Sequence, residues 1–204
     1  MLQDGYLTFG RFRGVPLRAH VLTPLGALVF SAFRFEPGTW LAYLLLILLH
    51  EIGHALLVMR YRLGVLSVDL QAFGGSCRWA GPATERQRSV IAWGGVLAQA
   101  AAWLVTVGVM SVLGPPRTLF ARDFVYVFAS TNLWLMALNL LPFAPLDGAE
   151  AWKITRWLGS SWSPGSWFER LRSHWRRRVH TRPDVSPEEA RRIAKAFEDA
   201  VRRR

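Results

Sequence analysis

The chain has 204 residues, of which 51% are hydrophobic, and its formal net charge is +11. Its single cysteine, Cys77, excludes an intrachain disulfide framework. The charge is unevenly spread, because residues 1–152 hold 11 basic and 8 acidic side chains, whereas residues 153–204 hold 14 and 6. We therefore expect an apolar region followed by a basic tail.

The first 35 residues predict strands and then a short apolar segment. Alternating apolar and polar residues between Tyr6 and Val21 favour one or two strands with a turn at Gly14. The segment from His20 to Phe33 is predicted as a first membrane span, although it is short and contains Pro24. No removable signal peptide is expected, because residues 1–14 lack a continuous apolar run.

The second apolar segment, Trp40 to Met59, carries the most informative residues. About twenty helical residues reach roughly 30 Å, the thickness of the hydrocarbon core of a bilayer. His50 and His54 lie four residues apart and share one helix face, with Glu51 beside them. In this H-E-x-x-H pattern two imidazoles bind zinc and the carboxylate acts as general base on a water. Histidines packed in a core are the alternative, which the cost of ionisable groups inside a membrane disfavours.

A hairpin is predicted between Val65 and Trp79, with its turn at Gly74-Gly75. It could simply connect two helices, or it could offer an open strand edge to an extended peptide. The sequence alone does not decide between these roles.

Two further spans are predicted, from Ser89 to Leu113 and from Phe124 to Leu141. Prolines at 142 and 145 end the helix of the last span, and Asp147 lies in the segment that follows. A catalytic zinc site has three protein ligands. We expect these to be His50, His54 and Asp147.

The fold class predicted from these segments is an all-α integral membrane protein. It has about four transmembrane helices, a short β-hairpin element at the cytoplasmic side and a small helical basic tail. Four spans place both termini on one side of the cell membrane. Arginine is concentrated in the termini and in the segment between the second and third spans, so the positive-inside rule makes that side cytoplasmic.

Three regions are expected along the chain: a membrane-embedded core over residues 1–158, a linker over 159–166 and a basic cytoplasmic helical tail over 167–204. The tail has arginine runs at 176–178 and 202–204. These runs favour contact with anionic lipids over contact with nucleic acid, because the tail is already tethered to the membrane.

Two motifs together resemble the site-2 protease family of intramembrane zinc metalloproteases, in its small bacterial form. They are His50-Glu51-Ile52-Gly53-His54 in an early span and Asn139-Leu-Leu-Pro142-Phe-Ala-Pro145-Leu146-Asp147-Gly148 at the end of the last. The resemblance covers roughly residues 10–158.

The resemblance implies roles for individual residues. One zinc ion would be held by His50, His54 and Asp147, and Glu51 would activate the water that attacks the scissile carbonyl. Asn139 would contact the oxyanion or the substrate backbone, although a hydrogen bond between helices is an alternative role. Gln99 stands where the family often has an asparagine, so no role is carried over to it.

The function predicted from the sequence is hydrolysis of peptide bonds in transmembrane substrate proteins by a zinc endopeptidase in the lipid bilayer. The alternative is a membrane metal-binding transporter or a non-proteolytic scaffold, since intramembrane acids and histidines also mark ion pathways. A transporter would need polar residues along the depth of several spans, and here they gather at one level.

Overall fold

The computed structural model describes residues 2–158 and two helical positions beyond them, Arg191 and Lys195. The strands of this part are β1 (Leu2–Gln3), β2 (Tyr6–Phe12), β3 (Val15–His20), β4 (Gly64–Gln71) and β5 (Gly74–Ala80). The helices are α1 (Thr23–Phe30), α2 (Pro37–Arg60), α3 (Glu85–Leu113), α4 (Leu119–Tyr126), α5 (Asn132–Asn139), α6 (Gly148–Ala151) and α7 (Thr155–Leu158). A π-helical turn (Val127–Thr131) joins α4 to α5, and a 3-10 turn (Trp152–Ile154) joins α6 to α7.

The predicted linker (159–166) and the predicted tail (167–204) fall outside the described residues, apart from those two positions. Contact between the tail and anionic lipids therefore stays a prediction.

The five strands form one sheet in the order β1-β2-β3-β4-β5. The strand pair predicted near the start of the chain is present as β2 and β3, and its turn residues, Arg13 and Gly14, both have positive φ. Strands β3 and β4 are parallel because α1 and α2 form the connection between them. Among the described residues, strand β5 pairs only with β4 and forms one edge of the sheet.

The prediction of an all-α protein with about four membrane spans is wrong. Among residues 2–158, two helices, α2 and α3, are long and apolar enough to cross a membrane, and they pack with a five-stranded sheet. The predicted first span fails because His20 completes β3 and Pro24 lies in the first turn of α1. Helix α1 has eight residues, about 12 Å at 1.5 Å per residue, which is too short to cross. The predicted last span corresponds to α4 and α5, of eight residues each, with the five-residue π-helical turn between them.

The predicted hairpin is present, but its turn lies at Ala72 and Phe73 rather than at the two glycines. Gly74 and Gly75 are the first residues of β5 and pair with Gln71 and Leu70. Both glycines are therefore part of the strand, and Gly75 lies against Glu51 of α2.

Helix α2 is the central element of the fold. One side of it packs Tyr43 and Ile47 against Leu70 of the sheet, and the other packs Leu46 against Val127. In its most apolar 18-residue window 56% of the residues are buried, compared with 11% in α3. The outer half of α3 exposes large apolar side chains, including Leu104, Val105, Val112 and Leu113, as expected of a helix whose outer face meets lipid.

The backbones of α2 and α3 touch at a pair of glycines. A Cβ atom on Gly53 would lie 2.3 Å from the carbonyl oxygen of Gly94, and one on Gly94 would lie 2.6 Å from that of Gly53. Small residues at a helix crossing allow this close approach, as is typical of helix packing in membranes. The crossing brings the histidine-bearing turn of α2 directly against α3.

A buried ion pair joins the parallel strands β3 and β4. The Arg18 guanidinium donates from Nε to Asp69 Oδ1 and from Nη2 to Oδ2, both at 2.7 Å. Arg18 and Asp69 are also cross-strand partners in the register, and the carboxylate is almost fully buried. The pair holds the pKa of Arg18 above its ordinary value through its hydrogen bond to Asp69.

We expect Asp69→Asn to lower the free energy of unfolding by about 3 kcal/mol, because it leaves the Arg18 charge without its counter-ion. Denaturant titration of the chain purified in detergent measures this change. The control is Glu85→Gln, which breaks the exposed pair with Arg156 at 3.1 Å and should cost about 0.5 kcal/mol or less. Equal losses of unfolding free energy in the two variants would show that the Arg18–Asp69 pair contributes no more than the exposed pair.

Candidate active site

Helix α2 presents His50, Glu51 and His54 within about one turn, and all three side chains are buried. The helix runs without interruption from Pro37 to Arg60, so the four-residue spacing places both imidazoles on the same face. Leucine and isoleucine precede His50 from position 44 to 49, so the polar groups follow an apolar stretch.

Asp147 reaches the histidines from the end of the loop that follows α5. It directly precedes α6, and the carbonyl oxygen of Ala151 in α6 accepts hydrogen bonds from Ser89 Oγ at 2.8 Å and Trp93 Nε1 at 3.0 Å. The start of the loop is held by Trp152, whose Nε1 donates to the carbonyl oxygen of Leu140 at 2.6 Å. Contacts with α3 therefore fix the segment that carries the carboxylate.

The structure brings three of the five predicted site residues into one cluster. Oδ2 of Asp147 lies 2.8 Å from His50 Nε2 and 3.2 Å from His54 Nε2, and the two ring nitrogens are 3.1 Å apart. These side chains form a group whose possible ligand atoms all lie within 4.8 Å of one another, so they could hold a metal ion.

The outer nitrogens of both rings face acceptor oxygens. Nδ1 of His50 is 3.0 Å from Gln99 Oε1, and Nδ1 of His54 is 2.8 Å from the carbonyl oxygen of Ile91. Each Nδ1 must donate, so in the neutral rings each Nε2 presents a lone pair to the cluster.

This arrangement fits a metal ion. Two imidazole lone pairs and a carboxylate oxygen converge at 2.8–3.2 Å, and such electron-rich atoms repel one another unless a cation or extra protons lie between them. Imidazole nitrogen and carboxylate oxygen are ligands of zinc, and histidine ligands commonly donate their other N–H to a carbonyl or carboxylate. The chemistry of the donor set and its outer hydrogen bonds therefore agree.

Glu51 and Asn139 lie in different surroundings. Glu51 lines a cleft of about 430 Å³ together with His54 and Asp147. Asn139 is the last residue of α5 and is half-buried, and it is not among the described residues that line this cleft.

One wall of the cleft is formed by β5, from Gly75 to Cys77 and at Trp79. Burial, reinforced by the charges of Glu51 and Asp69, raises the pKa of the Cys77 thiol to about 12. The thiol therefore stays protonated at neutral pH and is a poor nucleophile, as expected for a small apolar residue.

Two glycines in contact with the cluster were missed by the sequence reasoning. A Cβ atom on Gly75 would lie 2.7 Å from Glu51 Oε1, and one on Gly95 would lie 2.4–2.6 Å from atoms of the His50 ring. The available signal was a glycine inside a strand or a helix, which indicates a close approach. Gln99 was noticed in the sequence, but its contact with His50 was not predicted.

Comparisons with known proteins agree with this geometry. No family model matches the chain. It is 33% identical over 172 residues to a protein named zinc metalloprotease Rip3 in two strains of Mycobacterium tuberculosis, Erdman and H37Rv. The match covers 74% of this chain and 44% of each relative, so the chain spans less than half the length of the curated relatives it matches.

The fold has a solved counterpart. A site-2 protease from Methanocaldococcus jannaschii superposes with a TM-score of 0.55 at 18% sequence identity, covering 77% of this chain and 74% of that one.

An H-E-x-x-H helix with a third possible ligand, the carboxylate of Asp147 from a distant loop, defines a site of the zinc metalloprotease class. The relatives are named zinc metalloproteases and the fold is that of a site-2 protease, and together these similarities confirm the resemblance seen in the sequence.

We expect Gly95→Ala to reduce the zinc content of the purified chain, because the new methyl group would occupy the space of the His50 ring. Elemental analysis of the protein in detergent measures the zinc bound per chain. The control is Gly108→Ala on the same helix, where a Cβ atom meets nothing within 4 Å. Both changes should favour the helix by about 0.5–1 kcal/mol, so a matching loss of zinc in both variants would contradict the explanation.

Proposed function

We propose that the chain is a zinc-dependent endopeptidase that hydrolyses peptide bonds of transmembrane substrate proteins. The observation that carries the proposal is the position of Glu51, whose carboxylate shares one cleft with His54 and Asp147. A buried base beside a metal-binding cluster, in a cleft of about 430 Å³, suits hydrolysis rather than storage of the ion.

Each residue of the site would have a distinct role in the reaction. His50, His54 and Asp147 would hold one zinc ion, which when bound supplies a Lewis acid for the water and for the scissile carbonyl. Glu51 would accept the proton of the attacking water and then give it to the leaving amine nitrogen. The backbone at Gly75 restricts Glu51 from the strand side, so the carboxylate is held within the cleft. Asn139 stays a proposed contact for the oxyanion or for the substrate backbone.

We place α2 and α3 across the membrane as part of the same proposal. His50 lies ten residues before the end of α2 at Arg60, about 15 Å along the axis, so the cluster would be within the hydrocarbon region. Arginines cluster in the connection between the two helices and at its borders, which favours the cytoplasmic side: Arg60, Arg62, Arg78, Arg86 and Arg88.

A metal-binding transporter is less well supported. The buried polar side chains of α2 are Thr39 near its start and the group His50, Glu51 and His54 within one turn. An ion pathway would need polar groups at successive depths.

We further propose that the substrate binds as an added strand along β5. Within residues 2–158 this strand has a free edge and lines the cleft next to Glu51, whereas β4 is enclosed between β3 and β5. Of the two roles left open for the hairpin, the position of β5 therefore supports peptide capture.

We expect Glu51→Gln to retain zinc and to lower the rate of cleavage of single-span substrates by about 100- to 10,000-fold, the range for loss of a general base. Zinc analysis and a gel-based cleavage assay in detergent or liposomes measure the two effects. Glu36→Gln, at the start of the same helix and outside the cleft, is the control and should leave cleavage unchanged. Cleavage that survives in Glu51→Gln would remove this residue as the base.

Proline substitutions along β5 test strand addition. We expect proline at Ser76, Cys77 or Arg78 to abolish cleavage, with zinc retained, wherever the backbone N–H faces the free edge. Alanine at the same position is the control, since it keeps the N–H and should retain cleavage. Strand addition is wrong if every proline variant that binds zinc still cleaves at the wild-type rate.

A further inference from the structure

Gln99 has a polar side chain that is almost fully buried. It lies on α3 with 2% of its surface exposed, and its Oε1 is 3.0 Å from Nδ1 of His50 on α2. A buried amide oxygen needs a donor, and a neutral imidazole needs an acceptor for its N–H. The contact satisfies both groups and joins the two helices at the cluster.

The contact also decides which ring nitrogen of His50 can bind a metal. An acceptor at Nδ1 keeps the proton there and leaves the lone pair of Nε2 directed at Asp147, 2.8 Å away. If the acceptor were absent, the proton could move to Nε2 and the ring would be free to donate to the carboxylate instead.

The two histidines differ in how this is achieved. His54 donates to the backbone carbonyl of Ile91, which every residue at that position would supply. His50 depends on a side chain, so its tautomer and its orientation are properties that substitution can change. Of the two outer hydrogen-bond partners of the histidines, Gln99 is therefore the one that a substitution can remove.

Two neighbours hold Gln99 in register with His50. Gly95 lies one turn earlier on α3, on the same face, and leaves the space that the imidazole ring occupies. The carbonyl oxygen of Gln99 accepts a hydrogen bond from Nδ2 of Asn132 at 2.9 Å, and Asn132 is fully buried on α5. The side chain of Gln99 therefore contacts the His50 ring, while its backbone is hydrogen-bonded to Asn132 of α5.

We infer that Gln99 is a positioning residue that sets the tautomer and orientation of His50 for metal binding. The inference rests on the proposed zinc site. It predicts that the length of the Gln99 side chain matters as well as its polarity, because an asparagine would withdraw the acceptor from the ring by one methylene group.

The test is the zinc affinity of the full chain in detergent, measured by competition with a chromophoric chelator. We expect Gln99→Leu, which keeps the volume and loses the acceptor, to weaken zinc binding about 10- to 100-fold. Gln99→Asn should weaken it similarly. Gln99→Glu, which keeps an acceptor oxygen at the same distance, should restore affinity to about that of the wild type or better.

Trp103→Phe is the control on the same helix. It removes the indole N–H that donates to the carbonyl oxygen of Ala129 at 2.9 Å, a contact between α3 and the π-helical turn that does not involve His50 or Gln99, so it should lower thermal stability and leave zinc affinity largely unchanged. The visible absorption spectrum of the Co²⁺-loaded protein gives a second readout. It should change shape in Gln99→Leu and Gln99→Asn and keep the wild-type shape in Trp103→Phe.

The outcomes separate this inference from the proposed function. A wild-type chain that binds no zinc would overturn the proposed function. A wild-type chain that binds zinc, with Gln99→Leu and Gln99→Asn binding it equally well, would overturn the role of Gln99 alone. If the leucine variant fails to fold, the other two variants still test the inference. Weaker zinc binding in Gln99→Asn with wild-type binding in Gln99→Glu supports it, and equal zinc affinity in both variants overturns it.

Discussion

The close contact between α2 and α3 is the constraint on which the site depends. Gly53 and Gly94 let the two backbones touch, and this brings the outer nitrogens of both histidines within reach of α3. The same helix holds the loop of Asp147 through Ser89 and Trp93. Helix α3 contributes no ligand to the cluster, yet it orients the two histidines and positions the carboxylate. A wider crossing would loosen all three ligands together.

Burial makes the outer hydrogen bonds of the cluster necessary. A polar group removed from water without a partner costs several kcal/mol, and a charged group costs more. The apolar surroundings therefore favour an arrangement in which every ring nitrogen has a defined role. One nitrogen of each histidine donates to α3, and the other is directed at Asp147. The same low polarity that makes the cluster costly to assemble also strengthens its attraction for a cation.

Local sequence rules predicted the histidine-bearing helix, the first strand pair and the hairpin, because spacing and alternation are properties of short segments. They failed where residues distant in the sequence decide how far an element extends. The segment around α1 is as apolar as a membrane span, but the sheet takes up its first residues and the helix is short. Gly75, Gly95 and Gln99 show the same limit at the site, since each gains its importance from a residue distant in the sequence.

The glycine at the start of β5 links the strand to the chemistry. Because Gly75 has no side chain, β5 approaches the Glu51 carboxylate more closely than it could with any other residue at position 75. A peptide added along β5 would then lie beside both the base and the metal-binding cluster, with its backbone extended. A helical peptide has its carbonyl groups hydrogen-bonded within the helix, whereas an extended one can turn a carbonyl towards the cluster. Under the proposed function, the position of β5 thus gives the sheet a role in presenting the substrate beside the central helix.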